Sequence, residues 1–186
     1  MVATVFLDAC VLRPLPLADF LLRAGHAGLC EVRWSDQVQR EWAHSLARQR
    51  PGIDPLLLDA RIAAMNAALP AARVSGYEAL VDRLSLPDVD DRHVLAAAIH
   101  GKADLIVTYN LRDFPARVLE THGVAARHPD DFLCRLVDRA PQTIAAIARQ
   151  ILAAWDRPPI AIGDFFQRLE RLRLRRTAAA LRPLLV

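Results

Sequence analysis

Pro87-Asp88-Val89-Asp90-Asp91-Arg92-His93-Val94-Leu95-Ala96-Ala97-Ala98-Ile99-His100, then Gly101, then Asp104-Leu105-Ile106-Val107-Thr108-Tyr109-Asn110, is the most informative run of the chain. Arg92 to His100 reads as a helix with acids crowded at its start, and Gly101 ends it. The apolar run that follows is too short for a second helix and reads as a buried strand. A helix feeding a buried strand is the crossover that a parallel sheet requires. Upstream, Ala3, Val5 and Leu7 alternate with Thr4 and Phe6 in a first buried strand that stops at Asp8. The chain therefore begins as an α/β fold with a central parallel sheet.

Between these units the punctuation is regular. Leu17–Ala24 has helical spacing after Pro14 and Pro16 and stops near Gly25 and Gly28. Glu31–Trp34 is a short strand, and Ser35 or Asp36 can N-cap a helix running to about Arg50. Asp54 or Pro55 opens another helix, with Leu56, Leu57, Ile62 and Met65 expected on one side, ending near Pro70. Tyr77–Leu84 is a shorter helical piece. Beyond Asn110, Leu111–Pro115 forms a turn, and a short helix and a strand near Val124–Arg127 complete an α/β unit at about Pro129. From there only helices follow: Asp130–Arg139, Pro141–Trp155, Ile162–Arg173 and Thr177–Leu185, with the sharpest break at Pro158-Pro159. The expected division is 1–131 for the α/β domain and 132–186 for a helical extension.

Composition narrows the function. With 186 residues, 53% hydrophobic and 24% charged, the chain can bury a core. The start MVATVFLDAC reaches an aspartate too early for a secretory leader, and no charge-free apolar run approaches the roughly 18 residues of a membrane span. Cys10, Cys30 and Cys134 are odd in number and lack a CxxC pair, which speaks against a disulfide framework or a thiolate zinc site. A soluble cytoplasmic protein is expected. Residues 1–131 carry 14 Lys+Arg against 17 Asp+Glu, whereas 132–186 carry 10 against 4. An acidic first part joined to a basic tail suggests a cation-binding centre beside a polyanion-binding surface.

Phosphate loops of the G-x-G-x-x-G and G-x-x-x-x-G-K-[ST] kinds are absent, as are a G-x-S-x-G elbow and an H-x-x-x-H pair. What remains is oxygen chemistry at strand ends and helix starts. Asp8 ends the first strand, where open parallel sheets bind ligands; a turn or capping role is the plainer alternative. Glu41 adjoins the apolar stripe of its helix, where boundary residues are common. Asp88, Asp90 and Asp91 crowd one helix start; one suffices as a cap, and the others repel unless a cation sits among them. Asn110 and Asp113 suit a turn as well as a site. Together these residues fall where adjacent parallel strands deliver them to one sheet edge. Oxygen-only ligands point to Mg²⁺ or Mn²⁺ and to water activated for attack on a phosphodiester.

Val5-Phe6-Leu7-Asp8-Ala9-Cys10, then Glu41, then Asp88 to Ala98, then Ile106 to Phe114 resemble, in order, the motifs of the PIN domain, closest to the VapC-type toxins of bacterial toxin–antitoxin pairs. The resemblance covers roughly residues 2–131. It implies a three-layer α/β/α domain and a metal-dependent endoribonuclease acting on single-stranded RNA with a 3′-hydroxyl leaving group. Carried over, Asp8, Glu41 and Asp91 are Mg²⁺- or Mn²⁺-binding acids, the fourth is Asp113 or is replaced functionally by Asn110, and Asp88 and Asp90 are support or substitutes for Asp91. Cys10 stands where the family often has a hydroxyl or amide residue. The tail resembles the helical extension of one subgroup. Arg168, Arg171, Arg173, Arg175 and Arg176 are spaced for one helix face, either solvated, on RNA, or on an acidic antitoxin. A cognate antitoxin is the implied protein partner, no membrane is implied, and a homodimer stays open. The competing readings are a structure-specific DNA nuclease with the same acids and a catalytically silent binding module of the same fold.

Overall fold

The computed structural model describes residues 2–155 and 160–185. Five parallel strands form one sheet in the order β3-β2-β1-β4-β5. β1 (Thr4–Leu7) lies at its centre, and α1 (Ala9–Leu12) and α2 (Leu15–His26) lead to β2 (Glu31–Ser35). α3 (Asp36–Gln49) and α4 (Pro55–Ala68) precede the edge strand β3 (Arg73–Val74) and the single turn α5 (Glu78–Val81). α6 (Arg92–His100) then crosses to β4 (Leu105–Val107) on the other side of β1, and α7 (Ala116–Leu119) leads to β5 (Ala125–Arg127). Val5 pairs in register with both Val32 and Leu105, and Phe6 with Arg33 and Ile106. Val5, Phe6 and Leu7 are fully buried, because helices cover both faces of the centre of the sheet. The expected parallel-sheet α/β architecture, followed by helices, is the one observed.

Chain direction across the sheet matters for the site. From β1 the chain moves to β2 and β3, then returns to place β4 on β1's opposite flank. The carboxyl ends of β1 and β4 are thus neighbours at the point where strand order reverses, which is where open α/β sheets form a ligand crevice.

Local chemistry accounts for the boundaries. The Ser35 side chain accepts from the Val38 amide at 3.2 Å and caps α3; Asp54 does the same for Leu56 at 2.9 Å and opens α4. Gly101 ends α6 against the edge strand: a Cβ there would come within 2.9 Å of Val74 Cγ2 and 3.1 Å of the Ala97 carbonyl oxygen. β4 is shorter than expected, since Thr108 already turns out of the ladder after its amide reaches the Arg127 carbonyl. β3 lacked a sequence signal, being two residues long. The expected face of α4 is corrected: Leu56 and Leu57 point to solvent and Leu58 and Met65 are buried. Apolar residues recur on every side of α4, so its spacing held no direction.

The extension comprises α8 (Pro129–Arg139), α9 (Pro141–Ala154), α10 (Ile162–Arg171) and α11 (Arg175–Leu185). α9 and α10 pack on α2, and α8 on α11. Phe165 and Phe166 are buried, with Phe165 6.2 Å from the Phe20 ring centroid. Asp130, buried near the start of α8, accepts the amides of Arg176 (3.0 Å) and Thr177 (2.8 Å) and the Thr177 hydroxyl (2.7 Å), so one carboxylate caps another helix across the fold. The break expected at Pro158-Pro159 lies outside the described residues. The tail arginines do not share one helix face. α10 stops at Arg171 and α11 restarts at Arg175; Arg168 lies over the Trp155 ring and Arg176 pairs with Asp131. Trp34 and Trp42 are buried core residues. Cys10, Cys30 and Cys134 are free thiols.

Candidate metal centre

Asp8 follows the last residue of β1 and is buried. Its Oδ2 accepts from the Thr108 hydroxyl at 2.6 Å and from the Cys10 thiol at 3.0 Å. Thr108 comes from the end of the neighbouring strand, so the parallel pairing of β1 and β4 delivers this contact directly. Burial, and then the Asp8 charge, push the Cys10 thiol well up, so it stays protonated and acts as a donor. The thiol sulfur in turn accepts from the Tyr109 amide at 3.3 Å. Both donors use one carboxylate oxygen and leave Asp8 Oδ1 for another partner.

Asp88, Asp91 and Asp113 each present a carboxylate oxygen within 4.8 Å of the others. Asp91 sits at the N-cap of α6 yet makes no side-chain capping bond, so capping does not account for it. Asp88 Oδ1 accepts the Asp90 amide at 2.9 Å, which turns the chain and leaves Asp90 exposed outside the group. Asn110 and Asp113 form the turn after β4, with the Asp113 amide on the Asn110 carbonyl at 3.2 Å. The Asn110 side-chain amide donates to Asp113 and lies 3.4 Å from Asp91 Oδ2, tying the turn to the start of α6. The turn reading of these two residues holds, and Asp113 also stands within the acid group.

Burial first, and then the charges of Asp8, Asp88 and Asp113, push the Asp91 carboxyl up to about 7, against the smaller pull of His93. The negative charge here exceeds what protein donors offset, and the donors are hard oxygens, so the group fits Mg²⁺ or Mn²⁺. Glu41 lies apart from the three-acid group: its Oε1 is 2.9 Å from His93 Nε2 and accepts from Gln37 Nε2 at 3.2 Å. His93 is buried two residues after Asp91 and fixes Glu41 in place. Sequence reasoning missed Thr108, His93 and the donor role of Cys10. A buried histidine in the helix that follows an acid cluster was the only legible hint.

A family model described as PIN domain matches residues 3–112, more than half of the chain. The chain belongs to the PIN domain family. A second model, described as VapC50 C-terminal domain, matches residues 129–183, so the helical extension of this PIN protein has a recognised counterpart. The curated protein "Putative ribonuclease VapC50" of Mycobacterium tuberculosis is 37% identical over 91 residues, covering 49% of this chain and 53% of that protein. The matched region therefore spans about half the length of that relative. No solved structure matches this PIN protein.

Proposed function

We propose that the chain is a metal-dependent endoribonuclease that cuts single-stranded regions of RNA and serves as the toxin of a toxin–antitoxin pair, with an antitoxin protein as its partner. The observation that carries this reading is the Asp88–Asp91–Asp113 group beside Asp8 at the strand-order reversal of a PIN fold. The ribonuclease name of the mycobacterial relative supports the substrate class. Asp8, Asp91 and Asp113 would hold Mg²⁺ or Mn²⁺, with Asp88 as a fourth oxygen source and Glu41 facing the same edge from α3. When bound, the ion supplies a water acidified for in-line attack on a phosphodiester.

The remaining work belongs to the chain. Thr108 and Cys10 fix the rotamer of Asp8 by holding one oxygen. Asn110 bridges Asp91 and Asp113 and keeps two like charges together. His93 holds Glu41 and leaves it one free oxygen. Residues 1–131 form the nuclease unit in this reading, and 132–186 the extension. Incubating the protein with transfer RNA, ribosomal RNA and single-stranded DNA, in Mg²⁺, Mn²⁺ or EDTA, tests it. Cleavage of RNA but not DNA, stopped by EDTA, is expected. Full activity in chelator, or a preference for branched DNA, overturns it.

A further inference from the structure

Tyr109 joins the acid site to the helical extension. Its amide faces Cys10, and it separates Thr108, which holds Asp8, from Asn110, which bridges Asp91 and Asp113. Its hydroxyl leaves the site and donates to the Leu172 carbonyl at 2.6 Å, at the end of α10, while its ring meets the His128 edge at 5.1 Å. The junction between α10 and α11 is therefore one tyrosine's length from the Asn110 turn. Asp130 pins the far side of that junction by capping α11.

Arg173 stands at this junction with φ 60°, a left-handed conformation that glycine adopts most cheaply. The Leu174 amide reaches back to the Leu169 carbonyl and the Arg173 amide to the Glu170 carbonyl, the hydrogen-bonding pattern in which helices usually place glycine. Arg173 is exposed, as are Arg171 and Arg175 on either side of it. Among the described residues no acid pairs with Arg173, whereas nearby Asp131 is taken by Arg176 and Asp130 by the α11 amides. Leu172, whose carbonyl the Tyr109 hydroxyl meets, is the residue before Arg173, so this hydrogen bond sets the Arg173 backbone next to the Tyr109 side chain. Lys102 is a built-in control. It also has positive φ (51°) just beyond a helix end, but it precedes β4 at the opposite edge of the sheet.

We propose that Arg173 is a substrate-binding residue that the helical extension supplies to the acid site, taking an RNA phosphate next to the scissile one. The inference rests on the ribonuclease reading above. A guanidinium fork suits a phosphate, and a cation placed beside an acid cluster offsets the repulsion that the cluster exerts on a polyanion.

The test uses the full chain and a single-stranded RNA oligonucleotide, with cleavage kinetics in Mg²⁺ and fluorescence anisotropy, both across a salt series. Arg173→Gly should raise KM and Kd roughly tenfold, leave kcat near the wild-type value, and flatten the salt dependence by about one unit of log–log slope. Arg173→Lys should recover part of the affinity. Lys102→Gly should leave both constants and the slope unchanged, while both glycine variants raise Tm by relieving the left-handed backbone. Unchanged KM, Kd and slope in Arg173→Gly, or equal losses in Lys102→Gly, overturn the inference. So does Arg173-dependent binding of poly-glutamate with unaltered RNA kinetics, which would assign the residue to an acidic polypeptide. A wild type that binds RNA through Arg173 without cutting it retires the nuclease reading and keeps the arginine; cleavage indifferent to Arg173 does the reverse.

Discussion

At the crevice Asp91 holds a position that folding alone does not favour. Asp8→Ala, Glu41→Ala and Asp91→Ala should each abolish cleavage. Tm should stay the same or rise in Asp91→Ala, which removes a like charge, and fall in Asp8→Ala, which leaves the Thr108 hydroxyl without its acceptor, and in Glu41→Ala, which leaves His93 without its partner. Near-normal cleavage by Asp8→Ala would contradict the assignment. Asp90→Ala should cut normally, because Asp90 is exposed and outside the three-acid group; a loss larger than that of Asp91→Ala would move the third acid by one residue. The raised Asp91 value fixes the sign of a pH effect. Its folded value of about 7 lies above the ordinary 3.8, so the folded state holds the proton more tightly. The stabilisation this gives is complete below pH 3.8 and is lost as pH rises through 7. Metal-free protein should therefore lose Tm between about pH 4 and pH 7 from this group, and Asp91→Asn should remove that component. Mn²⁺ affinity should run the other way, weakening as pH falls through 7, which calorimetry at several pH values would measure. A pH-independent affinity would show that Asp91 is not a ligand.

At the scale of elements, the extension is fastened by specific polar contacts as well as by apolar packing. Asp130 satisfies two α11 amides and a buried hydroxyl. Asp130→Ala leaves those donors without an acceptor and should destabilise the protein by about 3 kcal/mol in urea unfolding. Asp130→Asn, which keeps one acceptor, should lose less. Equal stability of wild type and Asp130→Ala would mean that water replaces the cap. Most helices here could be read from spacing and punctuation, as Ser35 and Asp54 illustrate. The α4 face could not, because a helix with apolar residues on every side has no preferred side until partners exist. Spacing places the break between α10 and α11 at 174–176 and the structure has it at 172–174, because an arginine and not a glycine holds the left-handed position.

In the proposed reading, folding and cation binding are linked across the whole molecule. The sheet places Asp8 beside Thr108 across a sequence separation of a hundred residues, and the site exists only in the folded chain. Mn²⁺ or Mg²⁺ should therefore raise Tm with the logarithm of its concentration above Kd, by an amount equivalent to about 2.7 kcal/mol at a hundredfold excess over Kd. EDTA should reverse the rise, and Asp91→Asn should largely remove it. An unchanged Tm in saturating Mn²⁺ would rule out the centre.

The sequence by itself determined the parallel α/β core, the helical tail and the residues that supply oxygen donors. Continuous apolar strands, capping residues and glycine stops are local signals, and they act within a few residues of where they stand. Strand order belongs to the tertiary structure. Only the return of β4 to β1's free flank brings Asp8, Asp91 and Asp113 to one edge, lets Cys10 and Thr108 hold one oxygen of Asp8, and leaves Asp90 outside. The joining of tail and site through Tyr109 and Leu172 was equally beyond the sequence. A hydroxyl reaching a carbonyl 63 residues away has no periodicity to announce it, because such a contact is fixed by how packed elements meet.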